Sequence, residues 1–160
     1  MRPINSQGIA ELSPANRKRL LESDLPYRVD HLRDAVCRVP AKSPADNQAF
    51  EAGAVAGRVL LEFLGVGLDP KTRTLRESRS HSQNKAGYTD DVKVIDVGGS
   101  YVSISTLSDS ERHALQKFIR GVHKACAHLT IDSDHQLTVD VFRTAAQIII
   151  RLYETHGPKA

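Results

Sequence analysis

Five basic side chains, His113, Lys117, Arg120, Lys124 and His128, recur at three- and four-residue steps along SDSERHALQKFIRGVHKACAHLT, residues 108–130. At about 100° of turn per residue they fall within roughly 80° of one another on a helix. No acid follows Glu111 in this stretch, so the row has no counter-charge on its own helix. Like charges four apart repel by about 0.2–0.5 kcal/mol per pair, and nearness to a helix C-terminus offsets part of that. One reading is a solvated face that complements the helix dipole. The other makes a phosphate backbone the missing counter-charge. In its catalytic form, His128 takes a proton from a ribose hydroxyl while Arg120 or Lys124 stabilises the charge developing at phosphorus. Metal chemistry is not expected. His123 and His128 are five apart, about 140° on an ideal helix, and one ion cannot take both. The pair His31 and Asp34 offers too few ligands.

A second basic group, Arg73, Arg76 and Arg79, lies in residues 68–91, LDPKTRTLRESRSHSQNKAGYTDD, where apolar residues almost vanish. That composition predicts a basic, mobile loop, which in a functional form is an arm that contacts phosphates.

The elements that position these residues are helical. Ser108 with Glu111 is a capping box, and Leu115, Phe118, Val122, Ala125, Cys126 and Leu129 form the apolar arc opposite the basic row. Ser13-Pro14 opens a short basic helix. A second start at Ser23, with Pro26 in its first turn, leads the stripe Leu25, Val29, Leu32, Val36 and Val39, which Pro40 ends. Ser43-Pro44 opens a third helix that runs to Gly65, and Gly53 and Gly57 on it predict close approach of another helix. The last helix is expected from about Thr138 to Glu154. Between the long helices, VKVIDV and SYVSIS flank Gly98-Gly99 and read as a β-hairpin with a primed turn. Residues 1–12 are a loose polar arm. The fold class is mainly α, one helical-bundle domain over residues 1–160, with about four long helices and an inserted β-hairpin. The third and last helices are more apolar than one buried face requires, which points to a homodimer.

Bulk composition narrows the function classes. The 160 residues carry a formal net charge of +3 and a pI near 9.0, mildly favourable to a polyanionic partner. Aromatics make up 5% and Trp is absent, which argues against stacking platforms for single strands. Cys37 and Cys126 make no disulfide framework, and a reducing, cytoplasmic compartment follows. There is no apolar run of membrane-spanning length, no secretory leader, and no fingerprint for a nucleotide, zinc or serine-nucleophile site, so no cofactor is expected.

The stretch His123-Lys124-Ala125-Cys126-Ala127-His128-Leu129-Thr130, at the end of the penultimate long helix of a helical bundle, resembles the HEPN superfamily. The signature of that family is an Arg, often with a polar residue after it, a few residues before a His. The resemblance implies a small helical bundle, commonly dimeric, that is either a metal-independent ribonuclease or an inactive binding module. His128 matches the motif histidine. The Arg position is held by His123 or Lys124, and the nearest Arg, Arg120, lies further upstream. Lys offers phosphate no bidentate fork, so the expectation is an RNA-associated or interaction module without strong catalysis. A metal-independent endoribonuclease using His128 with Arg120 or Lys124, and a purely structural subunit of a larger assembly, are the alternatives. The expected nucleic-acid-binding set is His113, Lys117, Arg120, Lys124 and His128 with Arg73, Arg76 and Arg79.

Overall fold

The computed structural model describes residues 2–3, 11–40, 42–80, 88–89, 91–127 and 137–159. Within them the chain is mainly α, built on four long helices with an inserted β-hairpin. Helix α1 (Pro14–Arg19) starts where the Ser13 hydroxyl accepts the Asn16 N–H at 3.2 Å. The expected second start at Ser23 does not occur. Leu20–Asp24 instead continues as a π-helical turn straight into α2 (Leu25–Arg38). The wider turn lets Leu20 and Leu21 pack on the core, and an Arg19–Asp24 ion pair at 3.2 Å spans it. Burial therefore overrides the local start signal.

The other starts fall where the capping residues put them. Ser43 Oγ accepts the Asp46 N–H at 3.2 Å ahead of α3 (Pro44–Phe63). Helix α4 (Asp109–Ala127) opens on a reciprocal box: the Ser108 N–H donates to Glu111 at 2.8 Å, and the Glu111 N–H returns to Ser108 Oγ at 3.3 Å. Thr138 caps α5 (Val139–His156) through the Val141 N–H.

The apolar stripes meet in one continuous core, with Leu32, Leu60, Leu61, Leu115, Phe118, Phe142 and Ile149 fully buried. Helices α2 and α3 make the closest pairing. A Cβ at Gly53 would lie 2.3 Å from the Ala35 Cβ, and one at Gly57 would lie 2.9 Å from Phe118 Cζ. The small-residue seam read from the sequence is thus used for helix packing. Ion pairs Arg33–Glu154, at 3.0 Å, and Glu111–Arg151 tie α2 and α4 to α5.

The hairpin is not where the sequence placed it. Residues 92–106 contain no strand; they form two 3-10 turns, Val94–Val97 and Ile104–Thr106. Only Gly98 of the glycine pair has a positive φ, 87°, whereas a type I′ turn needs it at both central residues. A Cβ on Gly99 would lie 2.5 Å from the His156 carbonyl oxygen, and the Ser100 N–H donates to that same oxygen at 2.8 Å. The glycine pair docks this segment on the end of α5. Asp96 decides the local conformation: 3% exposed, it accepts the Lys93 N–H at 2.7 Å and turns Val94 and Val97 inward together.

The observed hairpin, β2 (Val66–Leu68) with β3 (Leu75–Glu77), lies at the start of the stretch expected to be a mobile loop. It is antiparallel, with Val66 opposite Glu77, Gly67 opposite Arg76 and Leu68 opposite Leu75. Val66 is fully buried and Leu68 and Leu75 pack against the core. Few apolar residues suffice to order it because each lies against the bundle. Residues 81–87 and 90 of that stretch lie outside the described residues. A second short pairing joins β1 (Arg2–Pro3) to β4 (Tyr88–Thr89). This pairs two residues of the expected loose arm; residues 4–10 lie outside the described residues. Among the described residues, no helix is long and apolar enough to cross a membrane.

Candidate functional site

The hairpin and the second half of α4 line a half-open cavity of about 800 Å³. Its α4 wall is Ile119, Arg120 and His123; its hairpin wall includes Arg73 and Arg76, and Arg58 and Lys93 enter from α3 and the first 3-10 turn. Leu61, Val66 and Ile119, all buried, pack beneath it.

The hairpin tip is locally determined. Asp69 Oδ1 accepts the N–H groups of Lys71 and Thr72, both at 2.8 Å, and the Arg73 N–H closes on the Asp69 carbonyl at 2.9 Å. These backbone donors, Thr72 first, hold the Asp69 carboxyl below its ordinary range, and Arg76 adds a smaller push the same way. Arg73 then takes φ +58°, the left-handed region that non-glycine residues enter at a cost of about 1–2 kcal/mol. Gln116 of α4 secures that conformation, donating from Nε2 to the Arg73 carbonyl at 2.7 Å. Gln116 and Arg120 lie four apart and so share one helix face, which anchors the hairpin and presents the guanidinium.

The cations are unevenly neutralised. Arg58 pairs with Glu62 at 3.1 Å. Lys93, 7% exposed, donates from Nζ to the Glu62 carbonyl at 3.1 Å, at the negative end of α3. Arg73, Arg76 and Arg120 form no ion pair with the described residues. The Arg120 Nε is buried and has no hydrogen-bond partner there. Among the described residues the wall carries five permanent cations, Arg58, Arg73, Arg76, Lys93 and Arg120, against the carboxylates of Glu62, Asp69 and Asp91. Such a cleft, positive in sum, concentrates field on an anion.

The expected site residues divide accordingly. Arg73, Arg76 and Arg120, assigned to two separate basic groups in the sequence, line one cavity. His113 and Lys117 are exposed on α4 and do not line it. Arg79 is turned away, paired with Glu77 at 2.9 Å and lying 5.8 Å over the Tyr101 ring. The Lys124 side chain and all of His128 lie outside the described residues. His123, exposed at the cavity rim, was weighed in the sequence only as a metal ligand and a motif position. Arg58 and Lys93 were missed, Lys93 because its segment read as a strand. Their only sequence signal is charge; the tertiary fold brings them in. Among the described residues no group of three His, Cys, Asp or Glu is placed to hold a metal ion.

No family profile matches this chain, and neither the curated proteins nor the solved structures contain a match to it.

Proposed function

We propose that this chain is an RNA-associated binding module of HEPN-like helical layout, without strong catalysis, that holds phosphate in the cleft between α4 and the β2–β3 hairpin. The observation that carries the reading is the convergence of Arg73, Arg76 and Arg120, from two elements, on one cavity with no carboxylate paired to them among the described residues. Arg is suited to this because its planar fork binds phosphate oxygens in pairs. Lys117, exposed on the same helix, extends the positive surface along α4.

The module self-associates in the cytoplasm on this reading. Tyr27, Val55 and Val59 are large apolar side chains 60%, 40% and 37% exposed on α2 and α3, which supports a second copy there. Sedimentation velocity of the wild type beside Val55→Lys/Val59→Lys tests it: a dimer that dissociates in the variant is expected, and a monomeric wild type overturns it.

For RNA, labelled oligonucleotide is incubated in EDTA with wild type, with Arg73→Ala/Arg76→Ala/Arg120→Ala and with His128→Ala, and one gel is scored for shift and cleavage. A salt-sensitive shift lost in the triple variant is expected. No shift overturns the reading. EDTA-resistant cleavage that disappears in His128→Ala replaces it with a ribonuclease.

A further inference from the structure

The shape and charge of the cleft say which phosphate it takes. A protein that tracks an RNA backbone presents an open groove, and each internal phosphodiester brings one negative charge. Here the cations lie around a half-open cavity of about 800 Å³, above the buried Leu61, Val66 and Ile119 and within the size range of sites that hold a discrete group. Among the described residues five permanent cations face three carboxylates, and Glu62 is already engaged by Arg58. The surplus is about two charges. A phosphodiester neutralises half of that, whereas a phosphomonoester carries about −1.5 to −2 at pH 7 and offers three terminal oxygens. Arg73, Arg76 and Arg120 supply guanidiniums that form no ion pair within 4 Å among the described residues to meet those oxygens.

We infer that the cleft is an end-recognition site: it seats the terminal phosphomonoester of an RNA strand, with the rest of the strand leaving along α4 past Lys117. This rests on the RNA reading above and narrows it to the end of the strand.

The test uses the full chain and three probes at fixed salt: a short single-stranded RNA with a 5′-phosphate, the same RNA with a 5′-hydroxyl, and the 5′-mononucleotide. A pair carrying a 3′-phosphate or 3′-hydroxyl reports the other terminus. Replacing a dianion on three arginines by a hydroxyl costs about tenfold in affinity or more. One phosphorylated end is therefore expected to bind about tenfold tighter than its hydroxyl counterpart, and the preference is expected to vanish in Arg73→Ala and in Arg76→Gln. Both substitutions are at exposed hairpin positions, and a thermal melt confirms that each variant is folded. Equal, salt-dependent binding of all the RNAs overturns end recognition and leaves the RNA reading intact. A mononucleotide that binds as tightly as phosphorylated RNA supports the phosphomonoester seat and overturns RNA as the partner. Binding of none of the probes overturns both.

Discussion

Gln116 of α4 donates from Nε2 to the backbone carbonyl of Arg73, 2.7 Å away across 43 positions of sequence. That hydrogen bond is what joins a basic helix to a basic turn. It holds Arg73 at φ +58° and thereby fixes where its guanidinium emerges relative to Arg120, one turn along from Gln116. Replacing Gln116 with Ala is expected to cost about 0.5–1 kcal/mol of stability, the net worth of an accessible hydrogen bond. Affinity for phosphorylated RNA should fall about threefold, since Arg73 keeps its charge and loses only its placement. Paired melting and fluorescence-anisotropy titrations read both quantities, and an unchanged affinity removes Gln116 as a positioning residue.

Arg73 itself separates backbone strain from charge. Glycine adopts the left-handed region freely, so Arg73→Gly is expected to raise stability by about 1 kcal/mol while weakening phosphate binding. Arg73→Lys keeps the strain and the charge without the bidentate fork, and should bind between wild type and the glycine variant. Chemical denaturation of the three proteins orders them; a glycine variant less stable than wild type would show that the Arg73 side chain contributes to the fold.

Arg120 is held at a cost to stability. Its Nε is buried with no hydrogen-bond partner among the described residues, a position worth about 1–3 kcal/mol of lost solvation. Arg120→Met, similar in length and without the unsatisfied donor, is expected to raise the unfolding free energy by about 1 kcal/mol and to abolish most RNA binding. Differential scanning calorimetry beside a gel shift checks the pair of changes, which should move in opposite directions.

At Gly53 the packing decides against helix propensity. Gly to Ala within a helix ordinarily gains about 1 kcal/mol. Here the added Cβ would lie 2.3 Å from Ala35 Cβ and 3.1 Å from the His31 carbonyl oxygen, neither of which can swing aside. Overpacking of this kind costs about 1–3 kcal/mol, so Gly53→Ala should be destabilising, and Ala35→Gly in the same chain should recover part of the loss. Urea midpoints of the single and double variants measure the recovery.

The carboxylates at the capped ends set an acid limit. Glu111 is held below its ordinary 4.5, first by the Ser108 N–H and then by the Ser108 hydroxyl, burial opposing and Arg151 assisting. Asp46 is lowered from 3.8, chiefly by the Ser43 hydroxyl, and Asp69 from 3.8 by the turn N–H groups. A depressed folded-state value means the ionised group favours the native chain. That contribution is complete above the unfolded value and disappears as pH falls through the folded one. Glu111→Gln can still accept from Ser108 but does not titrate. Its stability deficit is therefore expected to be full at pH 7 and to close as pH falls below 4.5 and through the lowered folded-state value. Melting both proteins across that range tests the sign.

What could be read along the chain was whatever one element encodes by itself. Ser13, Ser43, Ser108 with Glu111, and Thr138 satisfy helix-end N–H groups within three residues of themselves, so their starts were legible. So were the buried stripes Leu25-Val29-Leu32 and Leu115-Phe118-Val122, which repeat at the period of one helix. Ser23 looked like another start, but the burial of Leu20 and Leu21 belongs to the core and carried the helix through. Gly98-Gly99 looked like a hairpin turn, and only the His156 carbonyl oxygen, 57 positions beyond Gly99, shows why Gly99 must lack a side chain. The true hairpin did leave a local trace in Asp69-Pro70, whose carboxylate nucleates the turn, but Val66, Leu68 and Leu75 order it by packing on the bundle, contacts invisible to periodicity. The basic residues were visible as types and their partners were not. Charge is a property of a residue and Arg79 meets Glu77 locally, two positions away, whereas leaving Arg73, Arg76 and Arg120 to face one cavity is a property of how α4 and the hairpin close on each other.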